Sequence, residues 1–357
     1  MLAGLHQMTS IVSDSVQSAP DRVPKVRVSG RDIGIDTMRG FAILMVIGIH
    51  SFQQPLNSWE TLADAALRPC VPIFLFVSGY LTARSRRVPV WKRLKAALVP
   101  YAIAFAAAYI YMALHNAAMD HHLGKALARF VLAYAFVYYY VFVYIGCTFG
   151  LWLVFLAAGA DGSRSDRRLV VLLPLCIALG LIVGSYLDPF LARLGYSDAL
   201  IEEVRMRDIP FWFSFAALGA LVGISGNRPA LYDMRQQIIC ATLIAYFIYV
   251  AVRLYGVGDA ADYDSVAYFG YAALSCILLL AFDVQVPFMA ALGSGSYFIY
   301  LWHIFVVMSL RDHAGLRQLG PPAAFAITFV VTVSGSVLAL LAVREIAPPR
   351  FLRWLGA

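Results

Sequence analysis

The sequence predicts an all-α polytopic membrane protein with about ten transmembrane helices and both termini in the cytoplasm. Three observations carry this. Of the 357 residues, 61% are hydrophobic and 14% are charged, where a soluble chain carries about 25% charged residues. Apolar windows of about twenty residues, long enough to cross a bilayer, recur along the whole chain. Lys and Arg cluster in the short loops on alternate sides of those windows, the bias that sets topology. The aromatic share of 14% suits many membrane–water boundaries.

Residues 1–34 are polar and unpatterned and read as a disordered cytoplasmic tail without a cleavable signal peptide. A single membrane domain is expected over 35–345, followed by a short cytoplasmic tail over 346–357. The apolar windows fall near 36–54, 66–83, 96–115, 138–159, 168–187, 209–225, 236–255, 265–282, 288–310 and 323–343. Ahead of the fourth, ALARFVLAYAFVYYY reads as an interfacial or re-entrant segment. The inside loops hold most of the basic residues, led by ARSRRVPVWKRLK, whereas GVGDAADYD on the outside carries only acidic charge. No internal repeat is visible. The apolar faces of spans four to eight suit packing within one chain or a homodimer seam.

The net charge of +7 does not point to nucleic acid, because the basic residues lie in topology-setting loops rather than on a soluble face. Cys70, Cys147, Cys176, Cys240 and Cys276 sit within or at the edges of apolar windows without metal-ligand spacing. Their odd number does not suit a disulfide framework. They read as small core residues, and no metal site is expected.

Chemistry concentrates in four places. In DTMRGFAILMVIGIHSF, Asp36, Arg39 and His50 share one helical stripe. Arg39 and His50 are about 16 Å apart along the axis. Ionisable groups inside a span are costly and usually functional. A neutral histidine can take a proton from a hydroxyl, and an arginine suits phosphate. Spacing alone equally allows Arg39 as a topology anchor and His50 as a packing histidine.

The second place is RPCVPIFLFVSGYL. Arg68 suits an anion or an acidic partner, Pro72 is expected to kink the helix, and Gly79 permits close approach beside Ser78. The third is WKRLKAALVPY, where Lys92, Arg93 and Lys95 suit either a nucleotide or positive-inside anchoring. Pro100 there reads as part of a helix start. The fourth is GSGSYFIYLWHIFVV, where Ser296, Tyr300 and His303 share a helix side.

Taken together, Asp36-x-x-Arg39-Gly40, His50, Pro72-x-Phe74-x-Phe76-x-Ser78-Gly79-Tyr80, Arg93 with Pro100-Tyr101, and Ser296-Tyr297-x-Ile299-Tyr300-x-x-His303 resemble the membrane acyltransferase-3 family. That family includes bacterial O-acetyltransferases of surface polysaccharides and exopolysaccharides. Tyr138-Tyr139-Tyr140 also resembles its aromatic entry to span four. One departure stands out. The family often carries two arginines three apart before the proline of span three, and here position 96 is alanine, with Lys95 as the stand-in.

The resemblance implies an integral protein of the bacterial inner membrane. It implies acetyl-CoA as acyl donor, and a polysaccharide or lipid-linked oligosaccharide as acceptor. His50 is the expected essential histidine, with Arg39 and Asp36 beside it. Donor contacts are expected from Arg39, Arg68, Ser78, Lys92, Arg93 and Lys95, and acceptor contacts from Tyr139, Tyr300 and His303. The rival reading is a permease with an intramembrane Arg/His relay. It predicts repeated halves, which the sequence lacks.

Overall fold

The computed structural model describes residues 32–116, 119, 122–135, 137–159, 162–257, 263 and 265–357. The expected tail lies, up to residue 31, outside the described residues, as does most of the acidic GVGDAADYD loop. Every regular element among the described residues is helical. The first is α1 (Ile33–Ser51), followed by α2 (Ser58–Leu67), α3 (Cys70–Ser85), α4 (Val90–His115) and α5 (Leu123–Val131). The middle of the chain forms α6 (Tyr139–Ala158), α7 (Gly162–Arg193), α8 (Asp198–Arg205), α9 (Ile209–Ser225), α10 (Arg228–Asp233) and α11 (Arg235–Tyr255). The last are α12 (Val266–Phe282), α13 (Pro287–Ser294), α14 (Ser296–His313), α15 (Pro321–Ile346) and α16 (Pro349–Leu355).

Eight helical stretches are long and apolar enough to cross a membrane, or nine when α13 and α14 count as one broken span. The apolar helix α12, with 17 residues, accounts for the remaining window. All ten windows therefore become helices, but the ninth is broken. Its two parts meet at 79°, at a junction where Gly293 and Gly295 flank Ser294.

Caps set several helix starts. Asn57 and Glu60 form a reciprocal capping box on α2. Asp208 caps α9 at the Phe211 N–H, with Pro210 in the first turn. Pro72 lies in the first turn of α3, where a proline displaces no helical hydrogen bond. The expected kink is replaced by a break between α2 and α3 at Arg68–Pro69. Pro100 differs in the other direction. The basic segment extends α4 back to Val90, so Pro100 is interior and leaves the Ala96 carbonyl without its helical donor.

The centre consists of the α1, α2–α3 and α8–α9 spans, with 61%, 67% and 61% of the apolar window of each buried. For α7, α11 and α15 the share is 22%, and their outward faces are apolar, as lipid contact requires. Helix contact in a membrane rests on close packing of small residues, and glycines supply it here. A Cβ on Gly79 would collide with the Ala216 carbonyl, and one on Gly219 with the Phe76 carbonyl, so α3 and α9 cross backbone to backbone. Gly40 and Gly293 do the same for α1 and α13. The second crossing brings the start of α14 to Arg39.

Candidate active site

Arg39 leaves α1 between two partners. Its Nη1 is 3.4 Å from Asp36 Oδ1, and its Nη2 donates to Ser296 Oγ at 3.1 Å. Asp36, 7% exposed, is one turn back on the same helix. Ser296 is the first residue of α14 and is delivered by the bend after α13. The guanidinium is thus held across the α1–α14 junction, yet 30% of its side chain remains accessible.

That accessible part faces a cavity of about 330 Å3, whose wall includes Arg39, Ser78, Arg93, Ser296, Tyr140, Tyr144, Tyr297 and Tyr300. Arg93 Nη2 donates to Thr82 Oγ1 at 2.7 Å. Its Nη1 is buried without a hydrogen-bond partner. An unpaired charged donor is costly unless a ligand completes it. The wall therefore offers two guanidinium groups to an anion.

The inner wall is a train of aromatic rings. Tyr297 and Tyr300 stack at 6.3 Å, and Tyr140 meets Tyr300 edge-on at 5.4 Å. Tyr300 lies 6.3 Å from His303, and His303 lies 5.5 Å from His50, all between ring centroids. The two histidines predicted separately thus face each other across the α1–α14 contact. Two tyrosine hydroxyls fix this wall. Tyr300 donates to the Val137 carbonyl at 2.6 Å and Tyr138 to the Leu301 carbonyl at 2.8 Å.

His303 is fully buried. Its Nδ1 lies 2.8 Å from the Tyr300 carbonyl and 3.0 Å from the Ile299 carbonyl. Carbonyls only accept, so Nδ1 carries the proton and Nε2 is an acceptor. This tautomer follows from the bonding rather than from an observed hydrogen. Nε2 is buried and has no partner. His50 is partly buried, and its carbonyl accepts from Arg311 Nη2 at 2.9 Å.

Several expected contacts fall elsewhere. Arg68 is not part of the cavity wall. Its Nε is 2.8 Å from Asp64 Oδ2, its guanidinium lies 4.6 Å from the Tyr263 ring centroid, and Arg253 Nη1 shares the same Asp64 oxygen at 2.7 Å. Asp64 sits one helical turn before Arg68 and captures it, and the same carboxylate ties α2 to α11 through Arg253. Lys92 and Lys95 are exposed and also off the wall. On α4 the inward rhythm runs through 93, 96, 97 and 100, which puts Ala96 on the cavity where Lys95 was the expected stand-in. Tyr139 points to Trp212, with ring centroids 6.3 Å apart. Its neighbour Tyr140, about 100° further round the helix, lines the cavity instead.

The sequence reading missed Tyr140, Tyr144 and Tyr297 as wall residues. The four-residue spacing of the first two and the three-residue spacing of Tyr297 and Tyr300 are a helical-face signal that was available. Arg311 gave no such signal. Among the described residues, no group of three or more His, Cys, Asp or Glu is placed to hold a metal ion.

A family model described as an acyltransferase domain matches residues 32–341, from the turn before α1 into α15. No curated protein and no solved structure matches the chain. The matched span contains every residue of the cavity wall and both histidines, and the chain belongs to the acyltransferase-3 family of membrane acyltransferases.

Proposed function

We propose that this protein moves an acetyl group from cytoplasmic acetyl-CoA to a hydroxyl of a polysaccharide or lipid-linked sugar on the far side of a bacterial inner membrane. The observation that carries the reading is the Arg39–Arg93 cavity, connected through Tyr300 to the facing His303 and His50. The unpartnered Arg93 Nη1 suits a phosphate oxygen of the donor, and Arg39 suits a second one or a carbonyl of the narrow pantetheine arm. The cavity is too small for a whole nucleotide thioester and suits that arm, with the nucleotide at the basic mouth near Lys92 and Lys95. The roughly 16 Å between Arg39 and His50 along α1 matches the reach of such an arm.

Acetyl-CoA supplies the acyl group as an activated thioester. His50 takes the proton from the attacking hydroxyl and passes it to the departing sulfur, as the new C–O bond forms and the C–S bond breaks. His303 Nε2 has no partner in the resting structure; rotation of the His50 ring, 5.5 Å away between centroids, brings a His50 N–H to it and leaves the other His50 nitrogen as base, the role a carboxylate plays in hydrolase triads. The permease reading gives way, because the family is one of acyltransferases.

The test is transfer of labelled acetyl from acetyl-CoA to isolated polysaccharide or lipid-linked oligosaccharide by membranes containing the protein. Wild type gives an alkali-labile labelled ester, and His50→Gln gives none at normal expression. Labelled ester formed equally by both would refute the role of His50.

A further inference from the structure

Two cavities share one wall at the end of the molecule where α4 finishes. One, of about 530 Å3, is a polar chamber between α4, α5, α8 and α14. The other, of about 930 Å3, is a groove between α5, α6, α7 and α8. Leu132, Phe142, Val183, Leu187, Leu200 and Val204 make that groove apolar. Arg129, Tyr134, Glu203 and Arg207 belong to both walls. A polar chamber and an apolar groove joined at one charged step have the outline of an amphiphile.

Helix α5 supplies the step. Lys125, Ala128, Arg129 and then Leu132 follow the three–four rhythm and line the groove. Leu123, Leu127 and Val131 lie on the other side and are exposed, as in a helix that rests in a bilayer interface. Such a helix normally turns its basic side to water. Here that side borders an apolar groove instead. Topology does not account for these cations, because α5 follows the end of α4, opposite the basic stretch that opens it.

Arg207 is satisfied within the fold. It donates to Glu203 Oε2 at 2.5 Å and, through Nε, to the Leu132 carbonyl at 2.7 Å. Arg129, half-buried, makes no ion pair and no side-chain hydrogen bond to any described residue. Neither remaining carboxylate of the two walls pairs with it. Asp208 turns one oxygen to cap α9, and Asp312 accepts from the Tyr111 hydroxyl. A guanidinium left over in this way suits a phosphate, which it meets with two parallel N–H groups.

We infer that the joined cavities hold one phosphate-bearing lipid. Its phosphate sits at Arg129, its hydrocarbon fills the groove between α5 and α8, and its polar head enters the chamber. The lipid is a resident ligand, so the inference stands apart from the acyl-transfer reading.

The experiment uses the full chain purified in detergent and reads thermal stabilisation and retained ligand by native mass spectrometry. The probes are phosphatidylglycerol, diacylglycerol with the same chains, and glycerol 3-phosphate. Phosphatidylglycerol stabilises the wild type and stays bound. Diacylglycerol, without phosphate, binds at least about tenfold more weakly. Glycerol 3-phosphate, without chains, gives no stabilisation at the same concentration. Arg129→Gln binds phosphatidylglycerol about tenfold more weakly and diacylglycerol as wild type does. Ala199→Trp, which fills the groove from α8, weakens both lipids. Leu200→Trp, at another exposed groove position, does the same if Ala199→Trp fails to fold. Arg193→Gln, an exposed cation at the end of α7 outside both walls, binds both lipids as wild type does.

Equal binding of the two lipids by wild type, or an unchanged preference in Arg129→Gln, overturns the inference. So does an equal loss in Arg193→Gln, which would mark general surface charge. Stabilisation by glycerol 3-phosphate equal to that by phosphatidylglycerol would make this a site for free phosphate and also overturn it.

Discussion

Replacing Arg93 with alanine gives the most informative perturbation of the donor site. In the structure this residue lines the cavity, its guanidinium is anchored at Nη2 by Thr82, and its Nη1 is buried and unpaired. A hydrogen bond from a charged donor contributes about 1.5–3 kcal/mol, which is about 10- to 150-fold in an equilibrium constant. Arg93→Ala is thus expected to raise the KM for acetyl-CoA by that factor and leave kcat within about twofold. A change confined to KM marks an interaction made equally in ground and transition states. S-acetyl-pantetheine lacks the nucleotide and should show no such change. Thr82→Val, which removes the anchor together with the hydroxyl's own bond to the Ser78 carbonyl, should raise KM by a few fold. The assay is initial-rate acetyl transfer by purified protein in vesicles at fixed acceptor. An unchanged KM for acetyl-CoA in Arg93→Ala, or an equal rise for both donors, would refute the assignment of Arg93 to the nucleotide end.

Other expectations follow from the same geometry. His303→Gln should lower kcat by about 10²-fold or more with KM for acetyl-CoA unchanged, and should shift the pH–rate profile, because it alters the base rather than donor binding. Lys92→Ala and Lys95→Ala should each change that KM by less than about threefold, as exposed charges screened by water do. Arg68→Ala should leave KM unchanged and destabilise the fold by up to about 3–5 kcal/mol, the range for breaking a buried pair, as a lowered melting temperature in detergent will report. Gly293→Ala should also lower the melting temperature, because its Cβ would strike the Asp36 carbonyl, whereas Gly270→Ala on open α12 surface should raise it by removing a helix glycine.

Much of the fold was legible because a bilayer allows few solutions. Backbone groups in hydrocarbon must be satisfied within the segment, so every apolar window had to become a helix, and each did. The bend between α13 and α14 was not legible. Gly293-Ser294-Gly295-Ser296 interrupts the window there, but the apolar residues on its two sides together reach the length of a span, so length alone reads one helix.

The pairing of Arg39 with Asp36 was legible from spacing along α1. The approach of His303 to His50 was not, because it depends on the Gly40–Gly293 crossing that sets α14 beside α1. Arg68 and Tyr139 were misplaced for local reasons. One was taken by a carboxylate a turn earlier, and the other was one residue out of phase with the cavity face. Lys95 lies off the cavity wall because it is one residue out of phase with Ala96 on α4.

The central claim is that His50 activates an acceptor hydroxyl for acyl transfer at the end of the Arg39–Arg93 route. Mass spectrometry of the surface glycan from cells expressing wild type or His50→Gln at equal levels tests it most directly. The account predicts a glycan heavier by an acetyl group with wild type and the unmodified mass with His50→Gln. An identical acetylated glycan from both, or no mass change with either, would contradict it.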